Sequence, residues 1–319
     1  MTRGLAMRGI LALLIIGAGL ATEFARSGPA AEAPRDDARR LLESNFNIAR
    51  EVETGPPVKG RETIRLGTWN IDRGGDLPTV AKELARYPSD LLLLQEVDWN
   101  TARSGGRDET GELAGRLHLN ASYAIEFEEL SQERDGRQAF IGQATLTRLP
   151  VRRSRVLRFE HQSGFWQPRR WLPSSIPLMQ RRLGSRVALI SELEFGGRLL
   201  VVYNVHLESR SYGRIQALQI DEILSDLSRY PAGTAAILGG DLNTKYLPSI
   251  FVRKLERAGF YSATGRHIER THKIAMALDW IFASGPVRLS EGEVRRDFRG
   301  SDHYPVFAAL RSEGRSRKR

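Results

Sequence analysis

The chain contains no cysteine. Disulfides, zinc–thiolate centres and thiol nucleophiles are therefore excluded, and oxidising and reducing compartments are equally open to it. It also lacks an apolar run long enough to cross a bilayer: the stretch from Gly9 to Ala21 is 13 residues, against the roughly 20 of a spanning helix. There is no internal repeat. Acid is in short supply, with 38 Asp and Glu against 48 Lys and Arg, a formal charge of +10. That surplus favours an anionic partner, whether nucleic acid, a phospholipid surface or a phosphorylated small molecule, and does not choose among them. A generally Arg-rich composition gives the same surplus.

Arg3 and Arg8 precede the apolar stretch, and Gly19-Leu20-Ala21 closes it with small residues. This is the layout of an export signal. Residues 1–21 are expected to be a signal peptide, which places the protein in the periplasm or outside the cell. The alternative is an uncleaved inner-membrane anchor formed by residues 9–21. Residues 22–60 are rich in Ala, Pro, Gly and charge and read as a flexible linker, with one short helix near Arg39–Arg50. The folded domain is expected over 61–312. Residues 313–319 read as a disordered basic tail, with Arg315, Arg317, Lys318 and Arg319.

Within the domain, strands and helices alternate. Thr63 to Asn70 has period two, and Leu91 to Val97 is continuously apolar, as in a strand covered on both faces. Phe140–Thr147, Val187–Leu193, Leu199–His206, Ala235–Leu238, Leu278–Ala283 and Tyr304–Arg311 also read as strands. Gly196-Gly197 marks a hairpin. Helical spacing runs over Leu77–Arg86, with Asp76 as N-cap, and over Glu109–Leu117, Tyr212–Leu227 and Ile250–Ala258. Hairpins mixed with helical crossovers imply an α/β sandwich rather than a simple doubly wound sheet.

Six polar clusters sit at the ends of apolar runs: Thr68-Trp69-Asn70, Gln95-Glu96, Asn204-Val205-His206, Gly240-Asp241-Leu242-Asn243, Leu278-Asp279-Trp280 and Ser301-Asp302-His303. Such groups cost several kcal/mol to bury without partners. Six together suggest one site where strand ends converge, suited to a hard divalent cation and a phosphate. Glu96, at the end of a buried strand, is a natural Mg²⁺ ligand, and Asn70 can orient a carboxylate or touch a phosphate oxygen. Asp241 and Asn243, two apart on an extended segment, would face one substrate together; the same four residues also read as a tight turn with an Asx cap. Asp279 is placed to orient His303 while Asp302 faces a metal. Taken singly, His206 reads as a core histidine and Asp302-His303 as a loop salt bridge.

Together and in this order, the clusters resemble the endonuclease/exonuclease/phosphatase family, whose members include deoxyribonuclease I, exonuclease III, neutral sphingomyelinases and inositol-polyphosphate 5-phosphatases. The resemblance covers roughly residues 62–311. It implies a four-layer α/β sandwich, two stacked mixed β-sheets flanked by helices. It implies a Mg²⁺ cofactor, replaceable by Mn²⁺, held by Glu96 with Asn70 and a second contact at Asp302. It implies catalytic roles for Asp241, which orients or deprotonates the attacking water, for His303 held by Asp279, for His206 and for Asn243. Asn70, Asn243, Arg186 and Arg214 fall where members contact substrate. Many members have Gly-Asn where this chain has Gly142-Gln143.

The expectation is therefore an exported Mg²⁺-dependent phosphodiesterase acting on an anionic phosphodiester, with nucleic acid ahead of a phospholipid or sphingomyelin and of a small-molecule phosphate ester. No obligate protein partner is implied. The segment Val151–Arg186 holds nine arginines against one acid, Glu160, with Phe165, Trp166 and Trp171 among them. It is read as a nucleic-acid grip or a membrane-surface contact; the alternative is a structured loop. A non-catalytic anionic-ligand binding module is the competing class. It fits poorly, since Glu96, Asp241, Asp302 and His303 are all present.

Overall fold

The computed structural model describes residues 45–165, 181–246, 248–265, 269–290 and 292–313. The chain divides into Met1–Leu41 and Leu42–Arg319, and only the second unit falls within the described residues. The signal or anchor segment, the first part of the linker, the stretch 166–180 of the arginine-rich segment and the tail beyond 313 lie outside them.

Two mixed sheets are stacked between helices. The first runs in the order β1 (Arg50–Val52), β4 (Asn120–Glu129), β5 (Phe140–Thr147), β3 (Leu91–Trp99), β2 (Thr63–Asn70), β15 (Val306–Ser312) and β13 (Val287–Leu289), with β7 (Arg182–Gly184) on β4 and β14 (Glu293–Val294) on β15. The second runs β11 (Tyr261–Ser262), β12 (Asp279–Ser284), β10 (Ala235–Asp241), β9 (Arg198–His206), β8 (Val187–Phe195) and β6 (Val151–Arg158). The helices are α1 (Leu77–Arg86), α2 (Glu109–Leu117), α3 (Arg214–Leu227) and α4 (Pro248–Arg257). The architecture is the four-layer sandwich expected.

Side-chain alternation explains the layers. Ile64 and Leu66 of β2, Leu91 and Leu93 of β3, Leu200 and Val202 of β9, Ile237 of β10 and Ile281 of β12 form one apolar cluster between the sheets. Each such side chain, buried to within a few per cent, contributes about 1.5–3 kcal/mol. The intervening residues face outward. Trp69, Leu92 and Leu94 meet Leu77, Val80 and Leu84 of α1. Tyr203, Ala236 and Leu238 meet Ile220 and Ile223 of α3 and Phe251 and Leu255 of α4. Asp76 caps α1 by accepting the Thr79 N–H. Gly196 and Gly197, both at positive φ, turn β8 into β9.

Each sheet has one parallel pair at its centre, β2–β3 and β9–β10. Both pairs end on the same polar residues that drew notice in the sequence: Asn70 opposite Gln95, and His206 opposite Asp241. The antiparallel neighbour β12 begins where β10 ends, with Asp279 paired to Asp241. Parallel strand ends meeting an antiparallel strand start is what brings distant segments to one spot.

Several expectations need correction. Phe46 is part of the core, β1 pairs with β4, and the Val58 N–H donates to Arg148 O. The linker therefore gives way to folded chain well before residue 61; residues 45–46 are helical, within the span expected to hold a short helix, and Arg50 at its end lies in β1. Strand β4 was not foreseen; its pairing register with β5 shifts at a bulge between Ile125 and Phe127. Val151–Arg158 is an edge strand on β8, not a loop. Three of its four arginines have partners: Arg155 bonds Asp226 and Tyr230, Arg158 bonds the Phe46 carbonyl, and Arg152 lies 3.6 Å from Glu194. Charge on an edge strand also blocks further strand pairing.

Candidate active site

Period two carries the inter-sheet face of each strand to its end. Asn70 follows Ile64 and Leu66, His206 follows Leu200 and Val202, Asp241 follows Ile237, and Asp279 precedes Ile281. The site is thus the polar end of the central core. Two glycines before Asp241 make room for it. A Cβ on Gly239 would lie 2.7 Å from Leu93 Cδ1, and one on Gly240, at φ +141°, would lie 1.9 Å from Val205 O.

Glu96 arrives differently from expectation. It does not end a strand; it sits inside β3, where alternation would send it outward with Leu92 and Leu94. A bulge between Gln95 and Val97 interrupts the register, and Glu96 takes φ +52°. That strained conformation turns the carboxylate toward Asn70, Arg73 and His206. The Asn70 amide then spans the two sheets, with Nδ2 3.4 Å from Glu96 Oε1 and 3.2 Å from Asp241 Oδ2. His206 Nε2 is 4.0 Å from Glu96 and 3.5 Å from Asp241. His303 Nε2 is 3.9 Å from Asp241, and its Nδ1 is 2.8 Å from Asp279 Oδ2. Glu96, Asp241, His206, His303 and Asp279 therefore form one cluster.

Charges in the cluster hold one another. Burial works to raise the Glu96 carboxyl, but the facing His206 and Arg73 overcome it and hold it well below the usual carboxylate range. Burial also opposes charge on His303. Asp279 in contact, with Asp241 and Asp302 nearby, outweighs it and pushes the imidazole up to about 10. The Asp72 carboxyl is raised, first by burial and then by repulsion from Asp302 and Glu96. Asp72, Glu96, Asp241 and Asp302 are thus an excess of hard oxygen donors crowded against one another. That donor set fits Mg²⁺ or Mn²⁺. Ligand atoms of His272, Asp302 and His303, and of Asp241, Asp279 and His303, lie within 4.8 Å of each other in each group.

Other expected residues take different places. Asn70 Oδ1 accepts the Asp72 N–H at 3.1 Å, which leaves its amide nitrogen to donate to the carboxylates and one lone pair on the oxygen open. Asn243 is not on an extended segment. It has φ +50°, and its N–H is accepted by Asp241 Oδ1 at 2.8 Å, so the Asx turn is the geometry that forms. Its Nδ2 donates to Leu207 O. Gln95 and Asn204 bond each other across the core at 2.8 Å, fully buried, and belong to the sheet packing. Arg186 is also buried, against Glu126 at 3.2 Å, and is not presented to a substrate. Gln143 donates to the same Glu126. Arg214 is exposed at the start of α3, with no hydrogen bond or ion pair to the cluster among the described residues. Asp302 is partly exposed, with Oδ2 3.2 Å from His272 Nε2.

Besides Asp72, three contributors were not foreseen. Arg73 Nε donates to Glu96 Oε2 at 3.2 Å from a turn in which Asp72, Arg73 and Gly74 all have positive φ. Glu126 lies 3.5 Å from His206 Nδ1. His272 packs edge-on against His303, centroids 4.6 Å apart. None lies in a motif. Only the Asp72-Arg73-Gly74 turn, two residues beyond Asn70, could have hinted at one. A cavity of about 690 Å³ lies elsewhere, lined by Trp99, Tyr123 and Phe140, and contains none of these polar groups.

The sequence profile of the Endonuclease/Exonuclease/phosphatase family matches residues 67–303. Among solved structures, the endonuclease/exonuclease/phosphatase from Beutenbergia cavernae DSM 12333 is similar at 19% identity, over 80% of this chain and 72% of its own, with a TM-score of 0.56. The human Nocturnin catalytic domain with bound sulfate anion is similar at 18% identity, over 83% and 97%, with a TM-score of 0.58. TDP2 from C. elegans is similar at 18% identity, over 78% and 75%, with a TM-score of 0.51. No curated protein matches the chain. Identities this low speak for the fold alone. The profile, which runs from the first strand of the site to His303, makes the chain a member of the endonuclease/exonuclease/phosphatase family of metal-dependent phosphoric ester hydrolases.

Proposed function

We propose that this chain is an exported, Mg²⁺-dependent phosphodiesterase whose substrate is nucleic acid. The observation that carries the reading is the single Asn70 amide shared between Glu96 and Asp241, with two imidazoles beside them. Glu96 and Asp302 would hold the cation, helped by Asp72. When bound, it supplies Lewis-acid neutralisation of charge at a phosphoryl oxygen.

The chain's own groups account for the rest. Asp241 is the general base. It is buried, oriented by the Asn70 amide and the Asn243 N–H, and placed to take the proton of a water aligned for in-line attack. His303, kept protonated by Asp279, donates from Nε2 to a nonbridging oxygen as charge builds there. His206 sits between Glu96 and Asp241 and steadies the same oxygens. The basic charge of the chain supports an anionic polymer as substrate, and the Arg3–Ala21 pattern supports export.

The test is hydrolysis of plasmid DNA, RNA, sphingomyelin and inositol phosphates by purified protein, with Mg²⁺ and with EDTA. Cleavage of nucleic acid in Mg²⁺ alone is expected, with Asp241→Ala and His303→Ala each slower by about 10²–10⁴-fold. Turnover that survives EDTA or either substitution defeats the mechanism. Turnover confined to sphingomyelin or inositol phosphates defeats the substrate assignment.

A further inference from the structure

Tyr212 and Tyr246 are 70% and 52% exposed, yet their rings lie together, centroids 5.4 Å apart at 46°. Tyr212 is in the loop that leaves β9 after His206, and Tyr246 in the loop that leaves β10 after Asp241. These strands are parallel neighbours with His206 opposite Asp241. Four residues separate Tyr246 from Asp241, a reach of at most about 18 Å.

The two loops are braced against each other. Asn243 Nδ2 donates to Leu207 O at 3.0 Å, Lys245 Nζ to Ser209 O at 3.1 Å, and Gln216 Nε2, from the start of α3, to Asn243 O at 3.5 Å. The rings are therefore carried on a fixed ledge. In the same loop, the Arg210 guanidinium lies 4.3 Å from the Phe165 ring centroid. Exposed aromatic pairs contribute little to the core, and the pair is not explained by packing. A preorganised π-face beside a phosphate site suits one class of ligand.

We propose that Tyr212 and Tyr246 form a stacking subsite for a nucleobase of the bound phosphodiester. This rests on the nuclease reading above and specifies it: the base next to the scissile phosphate lies on the two-ring ledge. A lipid surface is less well matched, because the ledge is two amphipathic rings and not a broad apolar patch.

The experiment measures binding in EDTA, so that nothing is cleaved. The probes are an oligodeoxynucleotide carrying 2-aminopurine and the same oligomer with abasic residues. Wild-type protein is expected to quench the 2-aminopurine. Tyr212→Ala with Tyr246→Ala should weaken that oligomer about tenfold and the abasic one less than twofold, while Tyr→Trp at both positions restores the quench. Equal weakening of both oligomers, or none, overturns the subsite. So does loss of binding to phosphatidylglycerol vesicles with base quenching unchanged, which would make the ledge a lipid contact. Plasmid hydrolysis by the same wild-type preparation in Mg²⁺ is read separately: a protein that quenches but never cleaves keeps the subsite and loses the catalytic assignment.

Discussion

His272 donates its Nε2–H to Asp302, with nitrogen and oxygen 3.2 Å apart. The tautomer follows from the other side of the ring, where Nδ1 accepts the Ile274 N–H at 2.9 Å. The neighbouring Thr271 Oγ1 accepts the N–H groups of Leu278 and Asp279, and its carbonyl accepts the Tyr304 N–H. One short segment thus ties the start of β12 to the Asp302-His303 turn. His272 is a positioning residue for a carboxylate assigned to the cation. His272→Phe should lower Mn²⁺ affinity and turnover by about 10–100-fold, and His272→Gln, which keeps a donor, should recover much of both. Calorimetric Mn²⁺ titration of the three proteins decides it; equal affinities would leave His272 without this role.

Asp279 and His303 are buried together at 2.8 Å. The folded pKa of His303 is about 10, above its ordinary 6.5, so the pair's contribution to stability is complete below pH 6.5. It declines as pH rises and is gone above about 10. Metal-free wild-type protein should lose melting temperature across that window. Asp279→Asn should be less stable at pH 6 and show a flatter profile. Parallel profiles in thermal melts would mean that the imidazole is not held charged.

How far this was readable in the sequence depends on whether period two was intact. Thr63–Asn70 alternates without interruption, Phe140–Thr147 runs without a bulge of its own, and both strands form with those bounds. The same regularity puts Asn70, His206 and Asp241 on the inner face, so their convergence was legible. Where a bulge intervenes, the pattern misleads. The leucine run stops at Gln95, so Glu96 reads as the end of its strand, whereas the bulge keeps it inside β3; Glu126 belongs to no polar cluster of the sequence, and its partners Arg186 and His206 are 60 and 80 residues away in the chain. Lone side chains on loops carry no periodic signal at all, so the roles of His272 and Arg73 are set only by the fold that brings them to Asp302 and Glu96. Sequence could not separate Gln95 and Asn204 from the site either. They stand next to site residues, but the sheets use them to bond each other.

Arg186 illustrates the same limit from the side of charge. A basic residue near the site reads as a substrate contact, but its guanidinium is sealed against Glu126, with distances of 3.3 and 3.2 Å to the two oxygens. Removing one partner of a buried ion pair costs about 3–5 kcal/mol. Arg186→Met should therefore lower the denaturation midpoint markedly, while KM of the protein that remains folded changes less than twofold. A large rise in KM with unchanged stability would restore the substrate contact. Urea melts and steady-state kinetics on one preparation separate the two.

Glu109 is a buried acid with a pH signature of its own. It opens α2, accepts the Asp98 N–H at 2.7 Å through Oε2, and keeps Oε1 buried without a hydrogen-bond partner. Burial first, and the Asp98 carboxylate second, push its carboxyl up to about 8. The sign is opposite to that of a paired carboxylate. Because the folded pKa exceeds the ordinary 4.5, its contribution is fully present below pH 4.5 and is lost as pH rises to about 8. Glu109→Gln keeps the acceptor and cannot ionise, so it should be more stable than wild type at pH 8, by on the order of 1–3 kcal/mol, and nearly equal to it at pH 4.5. Chemical denaturation at the two pH values measures the difference directly, and a gap that fails to grow with pH would show that the native carboxyl is already ionised.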